Sequence, residues 1–307
     1  MSTTRLARRP TPVQSTGTDL ATWGPVHLDV TDGPQALGFW RDLIGLRLLA
    51  EDEGTLRLGV DDAELLVLHP GATRRVPRGH AGLYHLAIHL PSEAEFARLL
   101  ARLFTARYPN SPTDHIMHWA TYLDDPDGIG LEVSFETFDR FGAYDLAAGQ
   151  PYVIDSDGKR RHVVSPLDLD EVFGHLSDEN LDLPLAAGAR IGHLHLHVSE
   201  LESAVSFYEA LGFRLNAELM GMAELNLGGS FPHRLALNIW QGVGAPPRPA
   251  DAAGLRQADL RVASPEELKA TIDRARALGA ATEERDGGVR VADPSGNRIY
   301  LTAAQPR

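Results

Sequence analysis

The chain reads Ile191-Gly-His-Leu-His-Leu-His-Val198, a stretch whose side chains alternate between two faces if it forms a β-strand. Related stretches occur three more times, each closed by an apolar residue, at Gly24–Val30, Leu83–Leu90 and Arg256–Val262. We name the four units that begin with these strands copies 1 to 4, in chain order. Because the same strand returns, the sequence predicts one supersecondary unit repeated four times.

One position of the repeated strand varies in its chemistry. Five residues before the closing apolar residue stand Pro25, His85, His193 and Gln257, in copies 1 to 4 respectively. Each of these residues shares a strand face with the residue two further on. A repeat with a constant pattern and this one variable position indicates a shared fold in which the binding site has been altered.

A helical pattern and further strands follow each of these first strands. In copy 2 we predict a helix at Glu93–Ala106 and a hairpin of Ala120–Asp124 and Gly130–Phe135, joined by the turn Asp125-Pro-Asp-Gly128. Asp293-Pro-Ser-Gly296 occupies the matching place in copy 4. The other predicted elements are a helix ending at Gly45 and strands Thr55–Val60 and Glu64–His69 in copy 1, helix Glu202–Leu211 and strands Ala223–Leu227 and Leu235–Trp240 in copy 3, and helix Pro265–Leu278 and strands Val289–Ala292 and Arg298–Thr302 in copy 4.

These patterns predict an α+β fold of four βαβββ modules in two pairs, each pair forming a curved sheet around a cavity. Neighbours in the chain are expected to pair, copy 1 with copy 2 and copy 3 with copy 4. The predicted domains are a flexible N-terminal tail at 1–22, an N-terminal pair at 23–136, a linker with a short helix at 137–189, and a C-terminal pair at 190–303. The short helix is expected to start within Ser165–Val172.

Composition narrows the classes of function. A chain of 307 residues is long enough for about two domains, and without cysteine any metal must be held by His, Asp or Glu. A formal net charge of −13 argues against a nucleic-acid partner. The N-terminus lacks the apolar region of a signal peptide, and no stretch approaches the ~20 apolar residues of a membrane span. We therefore expect a cytoplasmic monomer or homodimer that binds a small molecule and no membrane.

His85 and Glu132 are the best-supported candidate metal ligands, because they lie on the first and last strands of one copy. Imidazole and carboxylate form the open sites of divalent iron, manganese or zinc. Tyr122 lies across the hairpin from Glu132, and His115 is a candidate general acid or base. The alternative is that His85 is an ordinary strand histidine and that Glu132 faces solvent.

Copy 3 offers a second group of polar residues. Its histidines share one strand face, and they are His193, His195 and His197. If copies 3 and 4 formed a cavity, copy 4 would supply Gln257 and Tyr300, and neither is a strong ligand. His233 and Arg234 directly precede the predicted strand Leu235–Trp240. They are predicted to face this secondary cavity and to bind a polar molecule. We interpret this cavity as a decayed or structural half.

The chain resembles the vicinal oxygen chelate superfamily, which includes glyoxalases, bleomycin-resistance proteins and extradiol ring-cleaving dioxygenases. The resemblance covers about residues 23–136 and 190–303, and Gly82-Leu-Tyr-His85 is most similar to four-module bacterial catechol 2,3-dioxygenase-like proteins. The other motifs that carry it are Ile191–Val198, Ala204-Val-Ser-Phe-Tyr208 with Leu211-Gly-Phe213, Asp125-Pro-Asp-Gly128 leading to Leu131-Glu132, and Asp293-Pro-Ser-Gly-Asn-Arg-Ile299.

The resemblance implies a metal held by a His on the first strand of one module, a His on the first strand of the next, and a Glu on a last strand. In the N-terminal pair these positions are Pro25, His85 and Glu132, and in the C-terminal pair they are His193, Gln257 and Tyr300. Neither pair has all three ligands. His27, two residues after Pro25 on the same face, is the predicted substitute.

The activity that the resemblance implies is that of an oxidoreductase, a metal-dependent extradiol dioxygenase acting on a small oxygenated aromatic molecule. The implied metal is Fe²⁺, with Mn²⁺, Zn²⁺ or Ni²⁺ as alternatives, and His115 and Tyr122 are the predicted catalytic residues. Two other functions fit the same fold. One is a metal-independent sequestering protein of the bleomycin-resistance type, and the other is a biosynthetic isomerase, lyase or cyclase.

Overall fold

A computed structural model describes residues 20–145, 152–177, 180–219, 221–229, 231–285 and 287–304. Residues 1–19 of the predicted tail lie outside this range, and Ala21 and Thr22 already belong to the first strand. Within the described residues no helix is long and apolar enough to cross a membrane.

Strands dominate the described residues. They are β1 Ala21–Val30, β2 Arg47–Asp52, β3 Thr55–Val60, β4 Ala63–Pro70, β5 Gly82–His89, β6 Ser111–Asp114, β7 His118–Asp124, β8 Gly130–Glu136, β9 Phe141–Asp145, β10 Tyr152–Asp155, β11 Arg160–His162, β12 Ser165–Pro166, β13 Arg190–His197, β14 Arg214–Leu219, β15 Met222–Asn226, β16 Leu235–Asn238, β17 Gly254–Val262, β18 Thr282–Arg285, β19 Gly288–Ala292 and β20 Arg298–Ala303. The α-helices are α1 Gly33–Leu37, α2 Glu93–Thr105, α3 Leu169–Gly174, α4 Leu201–Ala210 and α5 Pro265–Ala277, with a π-helical turn at Gly38–Leu43 and a 3-10 turn at Phe138–Arg140.

Local sequence explains where these elements begin. The side chain of Ser92 caps α2 by accepting a hydrogen bond from the Glu95 N–H at 3.3 Å. The predicted turn before β8 is also present, since Asp125 Oδ1 accepts the Asp127 and Ile129 N–H groups at 2.8 Å and Gly128 has a φ of 82°. The turn fixes where β8 starts, and therefore where its side chains point.

The predicted fold class is confirmed, but the predicted pairing of the copies is wrong. One sheet has the strand order β18-β19-β20-β17-β1-β4-β3-β2, and so joins copy 1 to copy 4. The other has the order β12-β6-β7-β8-β5-β13-β16-β15-β14, and so joins copy 2 to copy 3. We call these the outer-copy sheet and the inner-copy sheet.

Contacts between first strands explain this pairing. β1 runs antiparallel to β17, and β5 runs antiparallel to β13. In the inner-copy sheet a bulge at Gly192 makes room for the ring of His89 on the neighbouring strand. In the outer-copy sheet Asp29 accepts hydrogen bonds from Arg248 and Arg256 at 2.8 and 2.7 Å. Since all four strands share one pattern, only such partner-specific contacts select the pairs.

The predicted linker, residues 137–189, is more structured than expected. Its described residues include a small sheet of order β11-β10-β9, strand β12 paired with β6, and the short predicted helix α3. Arg98 and Arg102 of α2 donate hydrogen bonds to the carbonyl of Leu183. The segment is thus attached to copy 2, and it reaches the edge of the inner-copy sheet.

Candidate metal centre and its cavity

Three possible metal ligands meet in the inner-copy sheet. The Nε2 atoms of His85 and His193 are 3.3 Å apart, and each lies 3.2 Å from Oε2 of Glu132. All three side chains are buried. Within the described residues this is the group of His, Asp or Glu side chains that could hold a metal ion.

The strand register brings these side chains together. Ala87 of β5 lies opposite His193 of β13 on one side and opposite Glu132 of β8 on the other. His85 precedes Ala87 by two residues, so all four side chains are on one sheet face. The alanine methyl group between the two flanking ligands leaves the space in which their donor atoms converge.

The separations fit a single divalent ion. Donor atoms that bind one ion at its usual distances of ~2.0–2.2 Å must themselves be about 3.0–3.5 Å apart. The atoms of His85, Glu132 and His193 meet this condition. Two imidazoles and one carboxylate form the set that holds Fe²⁺, Mn²⁺ or Zn²⁺ while leaving positions for substrate.

The protonation of the cluster also suits a cation. Burial lowers the pKa of His193 well below its usual value, which keeps the ring neutral with a lone pair for a metal. His193 therefore presents a neutral imidazole to the cluster.

Unsatisfied polar atoms adjoin the three ligands. Oε1 of Glu132 and both ring nitrogens of His118 are buried and have no hydrogen-bond partner among the described residues. The ring atom Nε2 of His118 lies 3.2 Å from Oε1 of Glu132, but the two are not aligned for a hydrogen bond. Buried polar atoms are costly unless paired. Unpaired polar atoms in this position are typical of a site that binds a metal ion or a ligand.

A chain of hydrogen bonds supports His193 from behind. Nδ1 of His193 lies 3.1 Å from Nε2 of His89, and Nδ1 of His89 lies 2.7 Å from Oε1 of Glu136. Arg190 donates to the same Glu136 oxygen at 2.5 Å. If His89 donates to the carboxylate, its Nε2 accepts the Nδ1–H of His193, and Nε2 of His193 then faces the cluster unprotonated.

The cluster opens into a cavity of about 410 Å³. Its walls come from copies 2 and 3 and from the segment between them. The lining residues are Tyr84, His85, Thr113, His115, Met117, His118, Tyr122, Glu132, Tyr144, Val153, Val163, Val164, His195, Leu219, Met222, Glu224, His233 and Trp240.

The predicted catalytic residues His115 and Tyr122 are in contact in this cavity. The Tyr122 hydroxyl lies 2.8 Å from Nε2 of His115, whose Nδ1–H donates to the Val163 carbonyl at 2.9 Å. This assigns Nε2 of His115 as the acceptor and the tyrosine as the donor. Burial, with the nearby ring of His118, lowers the pKa of His115 to about 4, so the ring is neutral at pH 7. Burial raises the pKa of Tyr122, with help from Glu132.

A second polar group lies beside the cluster. Oε2 of Glu224 accepts hydrogen bonds from Nδ1 of His233 at 2.9 Å and from the Tyr144 hydroxyl at 2.6 Å. The His233 ring makes an edge contact with that of His193, with 4.3 Å between centroids. Burial lowers the pKa of His233, but the adjacent Glu224 carboxylate outweighs burial and raises it. This pair favours a protonated imidazole and an ionised carboxylate.

The structure does not bring the predicted substitute ligand, His27, to the cluster. His27 lies on β1 in the outer-copy sheet, where its Nδ1 is 3.0 Å from Nε2 of His69. Three other ligand positions that lack a strong ligand are in the same sheet, namely Pro25, Gln257 and Tyr300. The expectation of an incomplete ligand set came from the wrong pairing, because the fold brings His193 beside His85 and Glu132 in one group that could hold a metal ion.

The residues assigned to a secondary cavity divide into two groups. His193, His195 and His233 adjoin the cavity and cluster of His85, so no separate cavity of copies 3 and 4 is needed for them. Arg234 instead donates to the Gly192 carbonyl at 3.4 Å and does not line the cavity. The counterpart of Glu132 in copy 3 is Ala236, which lies opposite His195 as Glu132 lies opposite Ala87.

Sequence reasoning missed several residues of the candidate site. His89 and Glu136 were not selected, although His89, like His85, stands two residues from Ala87 and therefore on the same strand face. Glu224 carried no sequence signal, because it comes from the middle of a predicted strand. The residues of the predicted linker that form a wall of the cavity also lacked one.

Comparisons with known proteins agree with this architecture. A family model described as the Glyoxalase/Bleomycin resistance protein/Dioxygenase superfamily matches residues 24–133 and 190–301. A protein of Bacillus subtilis (strain 168) named catechol-2,3-dioxygenase is 32% identical over 284 residues, covering 91% of this chain and 95% of that protein.

Two solved structures share the fold at low sequence identity. A Bacillus subtilis protein proposed to be a dioxygenase has a TM-score of 0.61 and 15% identity, with 93% of this chain and 86% of that chain covered. Glyoxalase I from Zea mays has a TM-score of 0.56 and 16% identity, with 93% of each chain covered. At these identities the likeness concerns the fold alone.

Proposed function

The chain belongs to the glyoxalase/bleomycin resistance protein/dioxygenase superfamily, and we propose that it is a metal-dependent extradiol dioxygenase acting on a small aromatic compound with two adjacent hydroxyl groups. The membership confirms the resemblance carried by the strand and turn motifs. The observation that carries the proposal is the buried cluster of His85, Glu132 and His193, which opens into a cavity of about 410 Å³.

The relative named catechol-2,3-dioxygenase supports the reaction class, because the match extends over 95% of that protein. Extradiol cleavage breaks the ring bond beside the two hydroxylated carbons and adds both atoms of O₂ to the product. It therefore requires no external reductant. A site with three protein ligands and free positions meets the need of such a reaction for simultaneous contact with a diol and O₂.

His85, Glu132 and His193 would hold the metal, for which we propose Fe²⁺. When bound, the ion would supply Lewis-acid chemistry and a template that orients the diol oxygens. The protein contributes a fixed donor set, since His89 and Glu136 hold the ring of His193 in place.

Tyr122 and His115 are suited to receive a substrate proton. The tyrosine hydroxyl donates to Nε2 of His115, so its oxygen lone pairs remain for a substrate hydroxyl. A proton that reached Tyr122 would be matched by transfer of the tyrosine proton to neutral His115. His233, whose pKa Glu224 raises, is the proposed donor for the return of a proton to the product.

Metal analysis and O₂ consumption test the proposal together. Protein purified without chelator and reconstituted with Fe²⁺ anaerobically should bind about one equivalent and then consume O₂ with catechol, as expected for three protein ligands. His193→Ala should lose both properties. His27→Ala is the matched control, and it should keep both because His27 lies in the outer-copy sheet.

Two results would contradict the proposal. Iron, manganese, zinc or nickel below about 0.2 equivalents after reconstitution would exclude a three-ligand metal site. Catechol binding that is equal with and without metal, and equal in His193→Ala, would instead indicate a sequestering protein.

A further inference from the structure

One wall of the cavity is apolar and comes from two separate parts of the chain. The segment between copies 2 and 3 contributes Val153, Val163 and Val164, and the edge of copy 3 contributes Leu219 and Met222. The ligands of the candidate metal centre and the proposed proton carriers are histidines, a glutamate and a tyrosine. The cavity thus combines a polar, ligand-bearing region with an apolar wall.

The wall is held in a defined position. The Val163 carbonyl accepts the Nδ1–H of His115 at 2.9 Å, and β12 pairs with β6 directly after Val164. Arg140 donates to both oxygens of Asp114, at 3.2 and 2.6 Å. These contacts connect the wall to β6 and to His115, which directly follows β6.

As far as the structure describes it, the cavity lacks a free cationic side chain for an anionic substrate. No Lys or Arg is present among the described residues that line it, whereas two carboxylates, Glu132 and Glu224, are present. The nearby Arg234 is turned away, toward the Gly192 carbonyl and Glu136. A substrate with a carboxylate on its ring would lose its hydration here, because the described part of the cavity offers no Lys or Arg and the His233 imidazole is already paired with Glu224.

The cavity is larger than one ring requires. A cavity of roughly 150 Å³ holds benzene in an engineered protein core. The 410 Å³ found here therefore leaves more than half of the volume for atoms beyond the ring. Those atoms would lie against the valine, leucine and methionine side chains of the wall.

We infer that the substrate is an uncharged aromatic diol with an apolar substituent, and that the wall around Val164 selects this substituent against a carboxylate. This inference rests on the proposed function. It assigns to residues 153–164, a part of the chain outside the four repeats, the choice among diols that the metal ligands would treat alike.

Binding to the metal-loaded protein without O₂ tests the selection independently of turnover. The probes are catechol, 4-tert-butylcatechol and 3,4-dihydroxybenzoate, measured by isothermal titration calorimetry. We expect the butyl compound to bind about tenfold or more tightly than catechol, since four added carbons become buried. The carboxylate should bind about tenfold or more weakly than catechol, because its charge is desolvated without a partner.

A charged substitution in the wall should reverse this order. Val164→Lys is expected to reduce the ratio of butyl to carboxylate affinity at least tenfold, and its position is 57% exposed, so the chain should still fold. Leu278→Lys is the matched control. Its position is 55% exposed just after α5, which packs on the outer-copy sheet, and the ratio should not change.

The outcomes separate this inference from the proposed function. Equal affinities for the three probes, or a preference for the carboxylate, would overturn the inference even if catechol were cleaved. The expected order of affinities without O₂ consumption would retain the inference and overturn the dioxygenase reaction. Failure of the metal-loaded protein to bind any of the three would overturn both.

Discussion

Replacing Gly192 with alanine should weaken metal binding at the candidate metal centre without replacing any of the proposed ligands. A Cβ atom at this position would lie closer than 3.0 Å to Cγ, Cδ2 and Nε2 of His89. The φ of Gly192 is outside the left-handed region, so alanine can adopt the backbone and the effect is steric. Because His89 is fully buried, its ring cannot move into solvent.

The displacement of His89 would break two contacts, the one with His193 at 3.1 Å and the one with Glu136 at 2.7 Å. Loss of such a support typically costs a metal site 10–100-fold in affinity. That range corresponds to about 1.4–2.7 kcal/mol. Overpacking should also lower the free energy of unfolding of the metal-free protein by about 1–3 kcal/mol.

The assay is competition for Zn²⁺ or Co²⁺ against a chromophoric chelator, with chemical denaturation of the metal-free protein alongside. Gly174→Ala is the control, because its Cβ would contact no atom within 4 Å at the end of α3. It should leave metal affinity unchanged. Gly192→Ala combined with His89→Ala should recover part of the lost stability and none of the lost affinity. Wild-type affinity in Gly192→Ala would refute the role assigned to His89.

Two further predictions concern protons. Burial lowers the pKa values of His27 and His69 to about 4, whereas histidines of the unfolded chain have a pKa of ~6.5. As the pH falls, the unfolded state therefore binds protons first, and the free energy of unfolding decreases between about pH 6.5 and pH 4. The double variant His27→Asn/His69→Asn should lose less stability, since each histidine contributes at most about 1.4 kcal/mol per pH unit to this loss. The measurement is chemical denaturation of both proteins at pH 7 and pH 5. The same difference in free energy of unfolding between variant and wild type at both pH values would contradict the prediction. Tyr122→Phe should lower kcat on catechol about 100-fold with iron content unchanged, since it removes the hydroxyl next to Nε2 of His115, and an unchanged kcat would exclude Tyr122 from proton transfer.

Local features of the chain were predictable to within a few residues. The helix expected at Glu93–Ala106 forms at Glu93–Thr105, and the strand expected at Thr55–Val60 has these bounds. Asp125 was recognised as part of a turn that positions β8, which carries Glu132. Such features depend on side chains that are close in sequence, which periodicity and turn chemistry describe well.

The sequence by itself determined the repeated module, the family resemblance, and His85 and Glu132 as candidate ligands. Only the tertiary structure decided that His193, and not His27, lies beside these two residues. The first strands of the four copies have interchangeable patterns, so their partners depend on contacts between distant residues, such as the fit of His89 over Gly192. A ligand set that combines residues of β5 and β13 could not be predicted from either strand alone. Periodicity indicates which face of the sheet a side chain occupies, but not which strand lies beside it.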